Sequence, residues 1–233
     1  MKKLLLTFLI LFFSISSNVV WSADFQKGLE AAQSGDYATA LREWKPLAEQ
    51  GDSHAQYNLG QMYRRGQGVP QDYKTAVKWY RLAAEQGDAD AQYNLGEMYR
   101  RGLGVPQDYK TALKWYTLSA EQGDVMAQNN LGQMYRNGKG VIQDYKTAVK
   151  WYKIASEQGH PTSQANLGLM YEEGLGVIKD NVYAHMWTNI SISNGSEDGV
   201  GIRDRVEETM TSYEIAEAQK LARECVAKNY KGC

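Results

Sequence analysis

The sequence has 233 residues, of which 43% are hydrophobic, so the chain can bury a core. Its 26 basic and 27 acidic side chains give a net charge of −1 at pH 7, which provides no general attraction to nucleic acid or to an anionic membrane. The composition therefore excludes functions that depend on a strongly basic surface.

Residues 1–23 predict a secretory signal peptide. Lys2 and Lys3 precede an apolar run over 4–13, and small residues lead up to Ala23, which is the order of regions in such a peptide. A retained membrane anchor is the alternative, but the apolar run is shorter than the ~20 residues that a spanning helix needs. We expect cleavage close to Ala23 and a periplasmic or secreted protein without stable membrane insertion. The remaining chain would carry 24 basic and 27 acidic side chains.

Residues 24–54 predict a first pair of antiparallel helices. Apolar residues at helical spacing indicate a helix that ends near Gly35, and Asp36 can cap a second helix that carries Trp44. The connector between these helices is shorter than those that follow. We expect this pair to be the N-terminal cap of a repeat array, because the ends of a solenoid need covering.

After residue 54 the chain repeats one stretch of 36 residues. The second copy differs from the first at seven positions, and a period of this size is the signature of a solenoid. The predicted repeats are 55–90, 91–126, 127–162 and a divergent fourth copy, 163–196.

Each repeat predicts two helices. In the first copy Ala55 and Leu59 share one helix face, and the connector 66–71 contains the Gly and Pro that stop this helix. Asp72 can then cap the second helix. Gly60 lies inside the first helix, where Gly costs about 0.5–1 kcal/mol relative to Ala. Its recurrence in every copy predicts that the second helix approaches too closely for a Cβ.

The recurring text resembles a known repeat. The runs Ala-Gln-Tyr-Asn-Leu-Gly-x-Met-Tyr, Gly-x-Gly-Val-Pro-Gln-Asp-Tyr, Ala-x-Lys-Trp-Tyr and Ala-Glu-Gln-Gly-Asp are similar to the Sel-one-like (Sel1-like) repeat, a relative of the tetratricopeptide repeat. The resemblance covers about residues 24–196. It implies an all-α fold, a right-handed α-solenoid of antiparallel helix pairs, which usually acts as an interaction scaffold.

Residues 197–233 predict a C-terminal helical cap. Apolar residues at helical spacing indicate a helix that reaches about Met210, and Thr211 and Glu214 have the spacing of a capping box for a last helix. The only two cysteines, Cys225 and Cys233, could close a disulfide in an oxidising compartment. Two free thiols or half of a metal site are the alternatives.

The sequence offers no constellation for catalysis. Its three histidines are scattered, and it contains neither His-Glu-x-x-His nor Cys-x-x-Cys. Ser-x-x-Lys, Lys-Thr-Gly and Gly-x-Ser-x-Gly are absent as well. We therefore expect a non-enzymatic protein with no metal and no cofactor.

The resemblance also points to a binding surface. In tetratricopeptide-like stacking the first helix of each pair lines the concave groove, and Tyr and Arg are enriched at binding hot spots. The groove residues predicted in this way are Tyr57, Gln61, Arg64, Arg65, Tyr93, Glu97, Arg100, Arg101, Asn129, Gln133, Arg136 and Asn137. The arginines then give way to Glu172 and Glu173. The alternative is that near-identical repeats share solvated arginines through duplication alone.

The predicted function is an exported, non-enzymatic scaffold that binds a protein or an extended peptide in this groove, and not nucleic acid. One alternative is a β-lactam-binding or weakly β-lactamase-like protein, as the cysteine-rich exported members with this repeat are described, and another is a structural part of a larger envelope assembly. Those members carry a disulfide in each repeat, whereas the repeats of this chain contain no Cys.

Overall fold

A computed structural model describes residues 24–233, and the predicted signal peptide lies outside these described residues. Between 24 and 233 the chain forms twelve α-helices and one 3₁₀ turn, without any β-strand. Most helices pack against the next helix along the chain, which confirms the predicted all-α solenoid. The helices are α1 (24–33), α2 (Tyr37–Glu49), α3 (Ser53–Arg65), α4 (Tyr73–Glu85), α5 (Ala89–Arg101), α6 (Tyr109–Glu121), α7 (Val125–Asn137), α8 (Tyr145–Ser156), α9 (Pro161–Glu173), α10 (Asn181–Ser193), α11 (Val200–Glu207) and α12 (Ser212–Ala227).

The chain divides into two compact units, of which unit 1 extends to Gln107 and unit 2 begins at Asp108. Unit 1 contains α1 to α5, with α3 packed on α2 and on α4, and α4 packed on α5. In unit 2 the run from α6 to α10 packs in the same sequential manner, and α11 and α12 both contact α10. Each unit is thus a stack in which a helix touches its neighbours along the chain.

Capping side chains fix the helix ends, as the sequence predicted. Asp52 precedes α3, and its carboxylate accepts a hydrogen bond from the amide of Ala55 at 2.7 Å. Gly66 ends the same helix in the left-handed region, at φ 70°. At the start of α4, the hydroxyl of Thr75 donates to Asp72 at 2.6 Å and its amide donates at 3.2 Å. These two bonds lower the pKa of Asp72 below its ordinary value.

The glycines inside the first helices lie against side chains of the second helices. A Cβ on Gly60 would lie 2.6 Å from the ring of Tyr80, which is fully buried, and a Cβ on Gly132 would lie 2.5 Å from the ring of Tyr152. In the fourth pair a Cβ on Gly168 would lie 2.6 Å from a methyl of Thr188. The predicted close approach is confirmed at these positions.

The second glycine of each Gly-x-Gly connector touches the preceding repeat. Gly140 follows α7, has φ 75°, and would place a Cβ 2.5 Å from the backbone carbonyl carbon and oxygen of Tyr109, the first residue of α6. Gly176 stands in the same way against Tyr145. Because the neighbouring atoms are backbone, they cannot move aside as a flexible side chain would. The connector therefore sets how one pair stacks on the previous one.

Buried glutamines join successive helix ends. Nε2 of Gln128 donates to the carbonyl of Ala120 at 3.1 Å, and Oε1 of Gln128 accepts from Gln158 at 2.7 Å. Equivalent bonds tie Gln56 to Ala48 and Gln86 in unit 1. Since a buried amide without partners would be destabilising, these bonds specify the stack as well as satisfying its polar atoms.

The C-terminal helices differ from the prediction at one point. Helix α11 stops at Glu207, earlier than the predicted Met210, because the amide and the hydroxyl of Thr209 both bond to the carbonyl of Val206 and close a turn there. The capping box of α12 is present, with Thr211 and Glu214 bonded to each other.

The two cysteines meet at the end of this cap. The Sγ atoms of Cys225 and Cys233 lie at bonding distance, and their Cα atoms are 5.7 Å apart. Cys225 is buried in the core cluster that also holds Tyr152 and Trp187. The disulfide therefore ties the chain end to the core of unit 2.

The fourth pair uses a histidine where the earlier first helices use aspartate. His160 precedes α9, and its Nδ1 accepts a hydrogen bond from the amide of Ser163 at 3.1 Å. Partial burial lowers the pKa of His160 from its ordinary value of 6.5. Only the unprotonated nitrogen can accept, so this cap requires neutral histidine.

We predict that this cap makes unit 2 sensitive to mild acid. When the pH falls through the pKa of unfolded histidine, the unfolded chain binds more protons than the folded chain, so the free energy of unfolding decreases. His160→Asn keeps a capping acceptor that does not titrate. Between about pH 7.5 and about pH 5.5, urea unfolding should show the wild type losing on the order of 1 kcal/mol more stability than this variant. Parallel pH profiles would contradict the prediction.

A second prediction concerns the connector glycines. Gly140→Ala should lower the free energy of unfolding by about 1–3 kcal/mol more than Gly123→Ala, because the new methyl group meets backbone atoms of Tyr109. Gly123 is the matched control, since its φ is also positive, at 99°, and a Cβ there has no neighbour within 4 Å. Urea titration followed by circular dichroism measures both. Equal losses of unfolding free energy in the two variants would contradict the prediction, because the positive φ alone would then explain why position 140 is a glycine.

Candidate functional site

Two cavities open on the side of unit 1 formed by the first helices. The first, which we name the N-terminal cavity, has a volume of about 310 Å³ and lies between α1, α2 and α3. The second cavity, of about 290 Å³, lies between α3 and α5. Among the residues predicted from the sequence, Tyr57, Gln61 and Arg65 line the N-terminal cavity, and Arg64, Tyr93, Glu97 and Arg101 line the second.

Some of these side chains are held inside unit 1. Nε2 of Gln61 donates to the hydroxyl of Tyr57 at 2.7 Å, and Oε1 of Gln61 accepts from Arg64 at 2.9 Å. Arg64 also donates to the hydroxyl of Tyr80 at 3.1 Å. Burial raises the pKa of Tyr80, so its hydroxyl remains protonated. Arg64 therefore supports the core beneath the surface.

Arg100 is engaged in a similar way. It forms a two-pronged pair with Glu97, with N···O distances of 2.9 and 2.8 Å. This geometry is that of a strong, charge-assisted hydrogen bond. The pair leaves Arg100 less available to a partner than its place in the sequence suggests.

Arg65 and Arg101 differ from their neighbours. Both side chains are exposed at the C-terminal ends of α3 and α5. Within residues 24–233 neither guanidinium group makes a hydrogen bond or an ion pair. A ligand could therefore engage Arg65 or Arg101 without first breaking an internal bond.

The first helices of unit 2 present a weaker surface. Asn129 is only 5% exposed, and its side-chain oxygen accepts from the hydroxyl of Ser163 at 3.0 Å, so it serves the packing of α7 and α9. Gln133 and Arg136 are half-buried, and Asn137 is exposed. The acidic end of the predicted groove is partly neutralised, because Glu172 pairs with Arg205 at 2.7 Å.

The structure adds residues that the sequence pattern did not assign to a site. Tyr37 and Trp44 of α2, together with Leu29 and Ala32 of α1, form walls of the N-terminal cavity. They lie outside the near-identical repeats, so the comparison between copies gave no signal for them. The short connector of the first pair is the one sequence feature that marks this region as different.

The described residues contain no cluster of side chains suited to holding a metal ion. Over 24–233 there is no group of three or more His, Cys, Asp or Glu side chains that could hold a metal ion. The imidazole of His185 is buried, and its Nε2 pairs with Glu207 at 2.7 Å. Among the helices of this region, none is both long and apolar enough to cross a bilayer.

Comparison with known proteins identifies the repeat. The Sel1 repeat family matches residues 53–88, 89–124, 125–160 and 161–196, which is more than half of the chain. The chain belongs to the Sel1 repeat family. Proteins with Sel1 repeats are generally non-enzymatic scaffolds that mediate protein interaction. No curated protein matches the chain.

Solved structures with Sel1 repeats are similar to this protein. A Sel1 repeat protein from Oxalobacter formigenes is 30% identical, with 84% of each chain covered and a TM-score of 0.72. The protein c5321, a protective antigen present in uropathogenic Escherichia coli strains, is 31% identical over 83% of this chain and 50% of its own, with a TM-score of 0.54. A putative Sel1 repeat protein from Klebsiella pneumoniae is 26% identical over 80% and 93% of the two chains, with a TM-score of 0.51.

Proposed function

We propose that this Sel1 repeat protein is an exported, non-enzymatic scaffold that binds a protein or an extended peptide on the first-helix face of unit 1. We define this face by the predicted residues on α3 and α5. The first-helix residues of unit 2 form a secondary surface. The face consists of Tyr57, Gln61, Arg64, Arg65, Tyr93, Glu97, Arg100 and Arg101.

The observation that carries the proposal is the pair of unpartnered arginines at the edge of two cavities. Arg65 lines the N-terminal cavity and Arg101 lines the second cavity. Each cavity also holds a half-buried tyrosine, Tyr57 or Tyr93. Arginine and tyrosine beside a concave surface are the composition of binding hot spots. An acidic segment of a partner would supply the complementary charge.

Two features support export. The sequence of residues 1–23 has the order of regions found in a signal peptide. The disulfide between Cys225 and Cys233 belongs to the chemistry of oxidising compartments, such as the bacterial periplasm. A periplasmic or secreted location therefore suits both ends of the chain.

Affinity capture tests the proposal with a charge-matched control. The bait is the purified protein in periplasmic extract, compared with Arg65→Ala/Arg101→Ala and with Lys45→Ala/Lys74→Ala. Both double variants remove two positive charges from unit 1, but the lysines are exposed on the second helices, α2 and α4. We expect one protein to be retained by the wild type and the lysine variant, with at least a tenfold loss in the arginine variant, since hot-spot truncations cost about 2 kcal/mol or more.

Equal loss in both double variants would reduce the proposal to non-specific charge attraction. Retention unchanged by the arginine variant would contradict binding on the first-helix face of unit 1. Arg136→Ala, analysed in the same way, reports whether unit 2 contributes to the affinity.

A further inference from the structure

We propose that the N-terminal cavity is a recognition pocket for one apolar side chain of a peptide, next to a residue of that peptide whose side chain is a carboxylate. This inference rests on the proposed function and names the class of segment that the first-helix face would bind. It follows from three properties of the cavity: its apolar walls, its free donors and its size.

The apolar walls arise from a shift in register. Gly28 and Trp44 are 16 residues apart, whereas Gly60 and Tyr80 are 20 apart, and both glycines lie directly against the ring of their partner. The first pair therefore has the same helix contact with a connector that is four residues shorter.

This register aligns α1 with α3 so that Leu29 takes the place of Gln61, and Ala32 the place of Arg64. Gln61 and Arg64 are tied into a polar network in the next pair. In α1 the corresponding residues are Leu and Ala, which cannot form such a network, and Ala32 is much shorter than Arg64 and leaves space in front of α3. The N-terminal cavity is therefore a consequence of how the first pair departs from the repeat.

The polar groups at the cavity present hydrogen-bond donors. The hydroxyl of Tyr37 accepts a bond from Nε2 of Gln67 at 2.6 Å, and the hydroxyl of Tyr57 accepts from Nε2 of Gln61 at 2.7 Å. Since each hydroxyl is used as an acceptor, its own proton remains available. Arg65 adds an exposed guanidinium group without an internal partner. A ligand that fits these groups must bring acceptors, and a carboxylate is the strongest acceptor that a peptide offers.

The position of Arg65 decides where the carboxylate binds. Arg65 is the last residue of α3, whereas Asp88 caps the start of α5 and Asp90 lies in the first turn of α5. The carboxylate of the peptide therefore binds beside Arg65, which is the cation that lines the cavity. Burial is the main cause that raises the pKa of Tyr57, so its hydroxyl stays protonated and can donate.

The size of the cavity limits what enters it. A volume of about 310 Å³ is at the lower end of the roughly 300–1,000 Å³ range of ligand pockets. It admits one large side chain, and the rings of Tyr37, Trp44 and Tyr57 form its aromatic lining. An aromatic side chain beside Glu or Asp satisfies the lining, the donors and the volume together.

Fluorine NMR with fluorotryptophan tests the proposal, because Trp44 lines the cavity. The Trp44 resonance is assigned with Trp44→Phe. The probe is the peptide Gly-Ser-Phe-Glu-Ser-Gly, acetylated and amidated so that the only carboxylate is a side chain, and its counterpart has Gln for Glu. We expect the Glu peptide to shift the Trp44 resonance with at least fivefold higher affinity than the Gln peptide.

Three variants separate the pocket from a general attraction to the surface. Arg65→Gln should make the Glu and Gln peptides bind equally, since the free cation is lost. Ala32→Leu keeps all charges and a good helix former but fills the cavity, and should abolish the Trp44 response. Lys74→Gln, which removes a positive charge from the exposed surface of α4, should leave this response unchanged.

The outcomes separate this inference from the proposed function. If neither peptide shifts the Trp44 resonance at millimolar concentration, or if Lys74→Gln weakens binding as much as Arg65→Gln, the pocket inference is wrong. Capture of a partner that depends on Arg65 and Arg101 would still support the proposed function in that case. A selective Trp44 response without any captured partner would support the pocket and contradict the broader binding face.

Discussion

Contact between two backbones, made possible by a glycine without a side chain, is the constraint on which the stacking of this protein depends. Gly140 lies directly on the first residue of α6, and Gly176 lies in the same way on the start of α8. The buried glutamines add specific bonds to that contact, as Gln128 does with Ala120 and Gln158. The backbone contacts of the glycines and the hydrogen bonds of the buried glutamines thus join the same successive helix pairs.

Because these contacts hold the stack together, the side chains outside them are the ones available for function. Small and apolar residues at fixed positions, such as Ala55 and Leu59, are completely buried by the stack. Most side chains that differ between the copies of the first helix lie on its other face, although Asn129 on that face also bonds to α9. Even on that face Arg64 is engaged with Tyr80, whereas the adjacent Arg65 is not. Neighbouring arginines in one motif therefore have different roles, and only the unpartnered one can bind without losing an internal contact.

The sequence was sufficient for much of the fold because the responsible interactions are local. Helix starts, glycine ends and the capping box of α12 involve residues within a few positions of each other, so their spacing is visible in the sequence. The recurring Gly60 could be interpreted without a structure, since a helix-interior glycine needs a compensating contact. The spacing of Cys225 and Cys233 likewise indicated their disulfide.

The rest could not be predicted because it depends on residues that are distant along the chain. Gln128 resembles a surface residue in sequence, and only stacking buries it and brings it to Gln158. Asn129 occupies a position where earlier copies carry Tyr. It is buried, and its side-chain oxygen accepts a hydrogen bond from Ser163. The cavity walls on α1 and α2 come from a pair that is not a copy of the others. Periodicity predicts what the repeats share, whereas the burial of Asn129 and the cavity walls arise where one copy or pair differs from the others.

The most direct test of the central claim is site-specific photocrosslinking in living cells. A benzoylphenylalanine replaces Asn58, which lines the N-terminal cavity, or Lys78, which is exposed on the second helix α4. We expect a covalent adduct with one partner protein from position 58 and none from position 78. An adduct from position 78 with none from position 58 would show that the partner binds the second helices and not the first-helix face.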